Sequence, residues 1–169
     1  AQPGGHPTYV LLAALWVRLW PLDPAYALNM LSAVSAAIAV ALVYRCVRPS
    51  LGTEAAVFAA VTLACSHLFW NSATLTESYA PAAAVLAGLL ALSLGYMDDP
   101  QPWRLWLAAL LLSLGAGINP IVIITLPALA IPFLYRWRQT GLRHVLPAVF
   151  IAGLGLIPFI VAGVASGGG

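Results

Sequence analysis

Glu77 stands in the stretch FWNSATLTESYA as one of five acidic residues in 169, between two long apolar runs. Around it are Ser72, Thr74, Thr76, Ser78 and Tyr79, so a carboxylate is set among hydroxyls. A carboxylate so placed acts as a base toward an alcohol or orients a cationic or hydroxyl group. Asn119 in GAGINP and His6 in GGHPTY are two further polar side chains between apolar segments. Each has a plainer reading. Thr76 is suited to cap the next helix, with Glu77 in its first turn favoured by the helix dipole. Tyr79 and Trp70 fit an aromatic belt. Asn119 precedes Pro120, a pair that initiates turns. His6, between Gly5 and Pro7, fits a solvated loop, Asp23 a cap for the helix from Ala25, and Asp98 and Asp99 a solvated connection.

The elements that must hold these residues are apolar. The chain is 62% hydrophobic and 7% charged, which excludes an ordinary soluble domain. The apolar residues form runs of membrane-spanning length, without the alternation of a β-barrel. The sequence predicts an all-α, polytopic membrane protein with about six transmembrane helices and a short interfacial helix. All seven basic residues are Arg, and a net charge of +2 does not suggest nucleic acid as a partner. Cys46 and Cys65 fall at opposite ends of adjacent spans and are expected to be free. His6, His67 and His144 are scattered, so no metal site is expected.

Tyr9–Trp20 is too short to cross and, with Arg18 and three aromatics, fits a helix lying at the interface. The expected spans are Ala25–Tyr44, Glu54–Trp70, Tyr79–Met97, two short spans within Trp103–Tyr135 meeting at a polar turn around Asn119, and Val145–Val164. Residues 1–24 form an outer loop with the interfacial helix, and 25–164 a transmembrane bundle. The opening Ala1 and the closing VASGGG suggest an internal piece of a longer protein, truncated at both ends.

Arginines orient the bundle. With the N-terminal loop outside, Arg45, Arg48, Arg104, Arg136, Arg138 and Arg143 all fall inside, and Arg18 alone falls outside. The inverted topology violates the rule almost completely. His6, Glu77 and Asn119 then share the extracytoplasmic side, as a site at the outer membrane surface requires.

The order QPGGHPTYVLLAALWVRLWP, LNMLSAVSAAIAVALVYRCVR, FWNSATLTESYA and LGAGINPIVIITLPAL resembles relatives of the protein O-mannosyltransferases, within the GT-C glycosyltransferase superfamily. That pattern runs His-Pro-Pro-Gly-Tyr-Pro, Asn-Leu-Leu-Ser-Ala, Phe-Trp-Ser-Gln-Ala-x-x-x-Glu-x-Tyr and Gly-x-x-x-Asn-His. The likeness extends from Gln2 to about Leu129, and Phe69-Trp70 with Glu77 and Tyr79 is its most specific part. Here Gln2 replaces the leading His, His6 the Tyr, and Pro120 the His after Asn119.

The resemblance implies a bacterial inner-membrane enzyme moving a sugar, such as mannose, from a polyprenyl-phosphate donor to an acceptor hydroxyl, such as a protein Ser or Thr. It implies a lipid-linked sugar as co-substrate, and membrane lipid and a protein or glycan acceptor as partners; the sequence assigns no cofactor. It places the catalytic acid upstream of Ala1, so Glu77, Tyr79, Asn119 and His6 are expected to bind substrate and no catalytic residue is expected among residues 1–169. Two other classes compete: a transporter or flippase module, suggested by the polar break at GAGINP, and a non-catalytic membrane scaffold.

Overall fold

The computed structural model describes residues 6–154 and Ile157, and all secondary structure among them is helical. The order is α1 (Pro7–Leu19), α2 (Pro24–Cys65), α3 (His67–Thr74), α4 (Tyr79–Asp98), α5 (Pro102–Ile118), α6 (Ile121–Ile124), α7 (Leu126–Thr140) and α8 (Leu142–Leu154). Proline opens several of them, because its missing N–H costs nothing in a first turn. Pro24 follows the cap Asp23, whose Oδ1 accepts from the backbone N–H of Ala25 at 2.9 Å and of Tyr26 at 3.3 Å.

By length and composition, α2 and α4 can cross a membrane, while α1, α5 and apolar parts of α7 and α8 are shorter. Two helices of spanning length thus stand where about six spans were expected. Two of the expected spans, Ala25–Tyr44 and Glu54–Trp70, fall on α2 and α3 with different boundaries. The first arm of α2 runs beyond Arg45 and Arg48 until Gly52, where φ 83° and ψ 176° turn the chain. That conformation is open only to glycine. The second arm stops at Cys65, because Ser66 is extended (φ −65°, ψ 128°) and its Oγ accepts from Phe69 N–H at 3.3 Å to start α3. The expected span Val145–Val164 begins in α8, and most of its second half lies outside the described residues.

Two compact units are formed, Leu11–Ala91 and the described parts of Ala1–Val10 with Leu92–Gly169. In the first, α2 folds back on itself and α3 packs against it. Buried positions on α2 are Ala27, Leu31, Ser32, Ser35, Ala36, Ala39, Ala56 and Ala60, so small side chains allow close helix approach. Ser35 satisfies its own hydroxyl by donating to Leu31 O at 2.7 Å. Trp16 Nε1 donates to Ala27 O at 2.9 Å, joining the end of α1 to the start of α2. Cys46 and Cys65 are both free.

In the second unit α5 packs on α8. Tyr96, 1% exposed, meets the Phe133 ring at 4.7 Å between centroids, and Ser93 Oγ donates to Leu129 O at 3.1 Å. The turn after α4 is closed by Arg104, whose guanidinium donates to Gly95 O and Asp99 O and pairs with the Asp99 carboxylate at 3.4 Å. Asp99 is exposed, as expected of a loop acid, and is also engaged by Arg104. The expected break at Asn119 is present, and a second one at Thr125 isolates α6.

Candidate active-site loops

Residues 75–78 link α3 to α4. Leu75 ends α3 in an extended conformation, its N–H bonded to Asn71 O at 3.2 Å. Ser78 O accepts from Ala82 N–H at 3.0 Å and so begins the α4 ladder. Helix α4 starts at Tyr79 with no acid in its first turn, so Glu77 stands ahead of the helix rather than inside it. Nor does Thr76 cap α4. Its hydroxyl donates instead to Asn29 Oδ1 at 2.7 Å, across 47 residues of chain.

That bond ties the α3–α4 link to the first turns of α2. Glu77, next in sequence, is exposed, and its carboxylate makes no hydrogen bond or ion pair among the described residues. Tyr79, 57% exposed, follows on the same link. The link, tethered by this bond, presents a carboxylate and a phenol at the surface of its unit.

Asn29 belongs to the LNMLSA stretch that carries the family resemblance, but its tie to the α3–α4 link was not expected. Its signal lay in the spacing of Asn29 and Ser32, two polar residues one helical turn apart in an otherwise apolar arm. Ser32 is fully buried, and its Oγ has no hydrogen-bond partner among the described residues.

A groove of about 460 Å³ follows the same arm, lined by Ala33, Ala37, Ala41, Ala64, Phe69 and Trp70 among others. Residues of the first arm border it on one side. Ala64 and α3 border it on the other, so chain running out to Gly52 and chain running back share one wall-to-wall apolar channel. The aromatic pair of the Phe-Trp motif thus faces alanine.

The other two candidates belong to the second unit. Asn119 is 7% exposed and ends α5. Its N–H donates to Gly115 O at 2.9 Å, its Oδ1 accepts from Ile121 N–H at 3.1 Å, and its carbonyl accepts from Val122 N–H at 3.1 Å. The side-chain oxygen therefore holds the turn, as the Asn-Pro reading anticipates. His6 is half-buried, and its carbonyl accepts from Val10 N–H at 3.0 Å in the first turn of α1. Thr8 packs so closely on Gly117 that a Cβ there would lie 2.7 Å from Thr8 Cβ and nearer still to its Oγ1. Thr8 is two residues from His6 and Gly117 two from Asn119, so the His6 and Asn119 loops meet at one end of this unit. Glu77 and Tyr79 are neighbours on one link of the other unit.

The described residues form an all-helical, strongly apolar structure with two helices long and apolar enough to cross a membrane, the class of an α-helical membrane-associated protein. The chain belongs to the family described as the protein O-mannosyl-transferase TMEM260 N-terminal domain, which matches residues 1–142. A glycosyltransferase-like role follows from that membership. No curated protein and no solved structure matches the chain.

Proposed function

We propose that this chain forms part of a GT-C-type membrane glycosyltransferase that moves mannose from a polyprenyl-phosphate donor to a protein Ser or Thr hydroxyl. The observation that carries this reading is Glu77: exposed, unpaired, and held on a link fastened by the Thr76–Asn29 bond. In the transfer, the acceptor hydroxyl loses its proton to a base as its oxygen bonds to the sugar C1. The C1–O bond to the donor phosphate breaks, and the lipid phosphate leaves with the electron pair. The base is assigned, from the family resemblance, to a residue upstream of Ala1. Glu77 orients substrate hydroxyls or the groups around the phosphate and Tyr79 donates a hydrogen bond, while His6 and Asn119 are hydrogen-bonding candidates of the other unit. The apolar groove along α2 suits a polyprenyl chain. Arginine distribution favours a site on the extracytoplasmic face, and a bacterial inner membrane is the location the family resemblance implies.

A transporter or flippase reading draws support from the helix interruptions at Asn119 and Thr125. Sugar transfer to a Ser/Thr peptide by the full-length protein in nanodiscs separates the two. With polyprenyl-phosphate mannose as donor, Glu77→Gln keeps size and some hydrogen bonding but loses charge. Turnover is expected to fall at least about tenfold, equivalent to about 1.4 kcal/mol of transition-state stabilisation. Wild-type turnover from a monodisperse Glu77→Gln protein removes Glu77 from the site. No transfer by the wild type, with movement of the lipid-linked sugar across vesicles, establishes the flippase instead.

A further inference from the structure

Asn29 is exposed in the second turn of α2, and its Oδ1 accepts the Thr76 hydroxyl at 2.7 Å. A primary amide carries two N–H donors besides that oxygen. Among the described residues Asn29 Nδ2 donates to no acceptor. Holding Thr76 requires only an oxygen, which an aspartate at position 29 would also supply, so the tether does not account for the amide. Glu77 follows Thr76 directly in the chain, and its exposed carboxylate has no partner among the described residues. Across 47 residues of sequence, the Thr76 bond thus brings unused donors close to an unused acceptor. Tyr26, 63% exposed, stands three residues before Asn29 and shares its face of α2.

This pairing discriminates among ligands. A cation uses the carboxylate but gains nothing from N–H donors, and among the described residues no three His, Cys, Asp or Glu gather to hold a metal ion. An ionised phosphate accepts from the amide but has no proton to give the carboxylate. An alcohol does both, donating to Glu77 and accepting from Asn29. A hexose presents such hydroxyls side by side, and its C–H face suits an exposed aromatic ring such as Tyr26.

We propose that Asn29 and Glu77 together hold two neighbouring hydroxyls of the donor's hexose, Asn29 Nδ2 donating to one and Glu77 accepting from the other. The inference rests on the glycosyl-transfer reading of this loop, and it makes Asn29 a sugar-contacting residue as well as a tether.

The test is native mass spectrometry of the purified full-length protein in neutral detergent, titrated with decaprenyl-phosphate mannose or with decaprenyl methyl phosphate. The second lipid has the same chain and the same single negative charge but no sugar. The wild type is expected to retain the mannosyl lipid roughly tenfold better, within the range of two net hydrogen bonds. Asn29→Asp keeps the size and an oxygen for Thr76 but removes both N–H donors. It is expected to lower that preference roughly threefold to tenfold, with hydrogen exchange at residues 75–78 unchanged. Asn71→Asp, which places an acid on exposed α3 instead, is expected to keep the preference. Equal retention of the two lipids by the wild type overturns the proposal, as does an unchanged preference in Asn29→Asp. Equal loss in Asn71→Asp overturns it too, since added charge is then responsible. So does quickened exchange at 75–78 in Asn29→Asp, because a loosened loop then explains the loss. If Asn29→Asp aggregates, the Thr76→Val background decides, where the tether is already gone. A further fall in preference on Asn29→Ala there supports the contact, and no further fall overturns it. Failure of the transferase reading shows separately: a wild type that prefers the mannosyl lipid but transfers no mannose to a Ser/Thr peptide supports the sugar subsite and refutes the transferase.

Discussion

The hydroxyl of Thr76 donates to Asn29 Oδ1 at 2.7 Å, fastening the link that carries Glu77 to the first turns of α2. Two segments 47 residues apart, each recognisable by itself, are thereby made one feature. The bond is exposed, so its net worth is about 0.5–1.5 kcal/mol, enough to bias the loop without dominating the fold. Thr76→Val is expected to lower sugar transfer roughly threefold to tenfold, within that energy range. Thr76→Ser, which keeps the donor, is expected to retain it. Hydrogen exchange at residues 75–78 should quicken in the Val variant alone. Unchanged exchange and turnover in Thr76→Val mean that the bond does not position the loop.

Gly52 turns α2 at φ 83° and ψ 176°, with open space where a Cβ would go. Backbone strain, not crowding, is then the whole cost of Gly52→Ala, about 1–3 kcal/mol. A lower midpoint of thermal unfolding is expected. Gly153→Ala, on α8 with equally open space and an ordinary φ, is the control and is expected to be neutral or slightly stabilising. Equal midpoints for the two variants contradict a turn at Gly52.

Crowding is the issue at Gly117. The 2.7 Å separation from Thr8 Cβ leaves no room for a methyl group, and Gly117→Ala is expected to cost about 1–3 kcal/mol. Adding Thr8→Gly removes the obstructing atoms and should recover part of the loss in a double-mutant cycle. Additive losses refute direct contact between the His6 end of α1 and the Asn119 end of α5.

Within the α2 hairpin, position 50 lies beside the Gly52 turn, and position 74 is two residues from Thr76 at the opposite end. In a background lacking Cys46 and Cys65, a cysteine at 74 is expected to react with an impermeant reagent added outside, and one at 50 to be protected. The reverse labelling pattern inverts the proposed topology.

Local chemistry told much of this in advance. Asp23 followed by proline starts α2, Asn119-Pro120 stops α5, and apolar runs mark the helices, because caps, turns and helical periodicity involve residues within about four positions of one another. The boundaries around Arg45 and Ser66 were misplaced for the same reason. A helix continues through charge while no residue forces φ positive, and a serine inside an apolar run breaks it only when its hydroxyl turns back to an N–H three residues on. Glu77 was visible as a rare acid among hydroxyls, but Thr76 had two uses open to it, a cap for α4 or a partner elsewhere. Choosing Asn29 required the α2 arms to fold antiparallel about Gly52. The close pairing of Thr8 with Gly117 required α1 and α5 to approach without a side chain between them. Both depend on how helices slide and pack against each other, and several registers of small residues satisfy the same local sequence. The sequence by itself determined an apolar, helical chain and the residue types of its polar loops. Tertiary packing decided which loops meet, and left Glu77 exposed and, like Glu54 and Asp98, without a partner among the described residues.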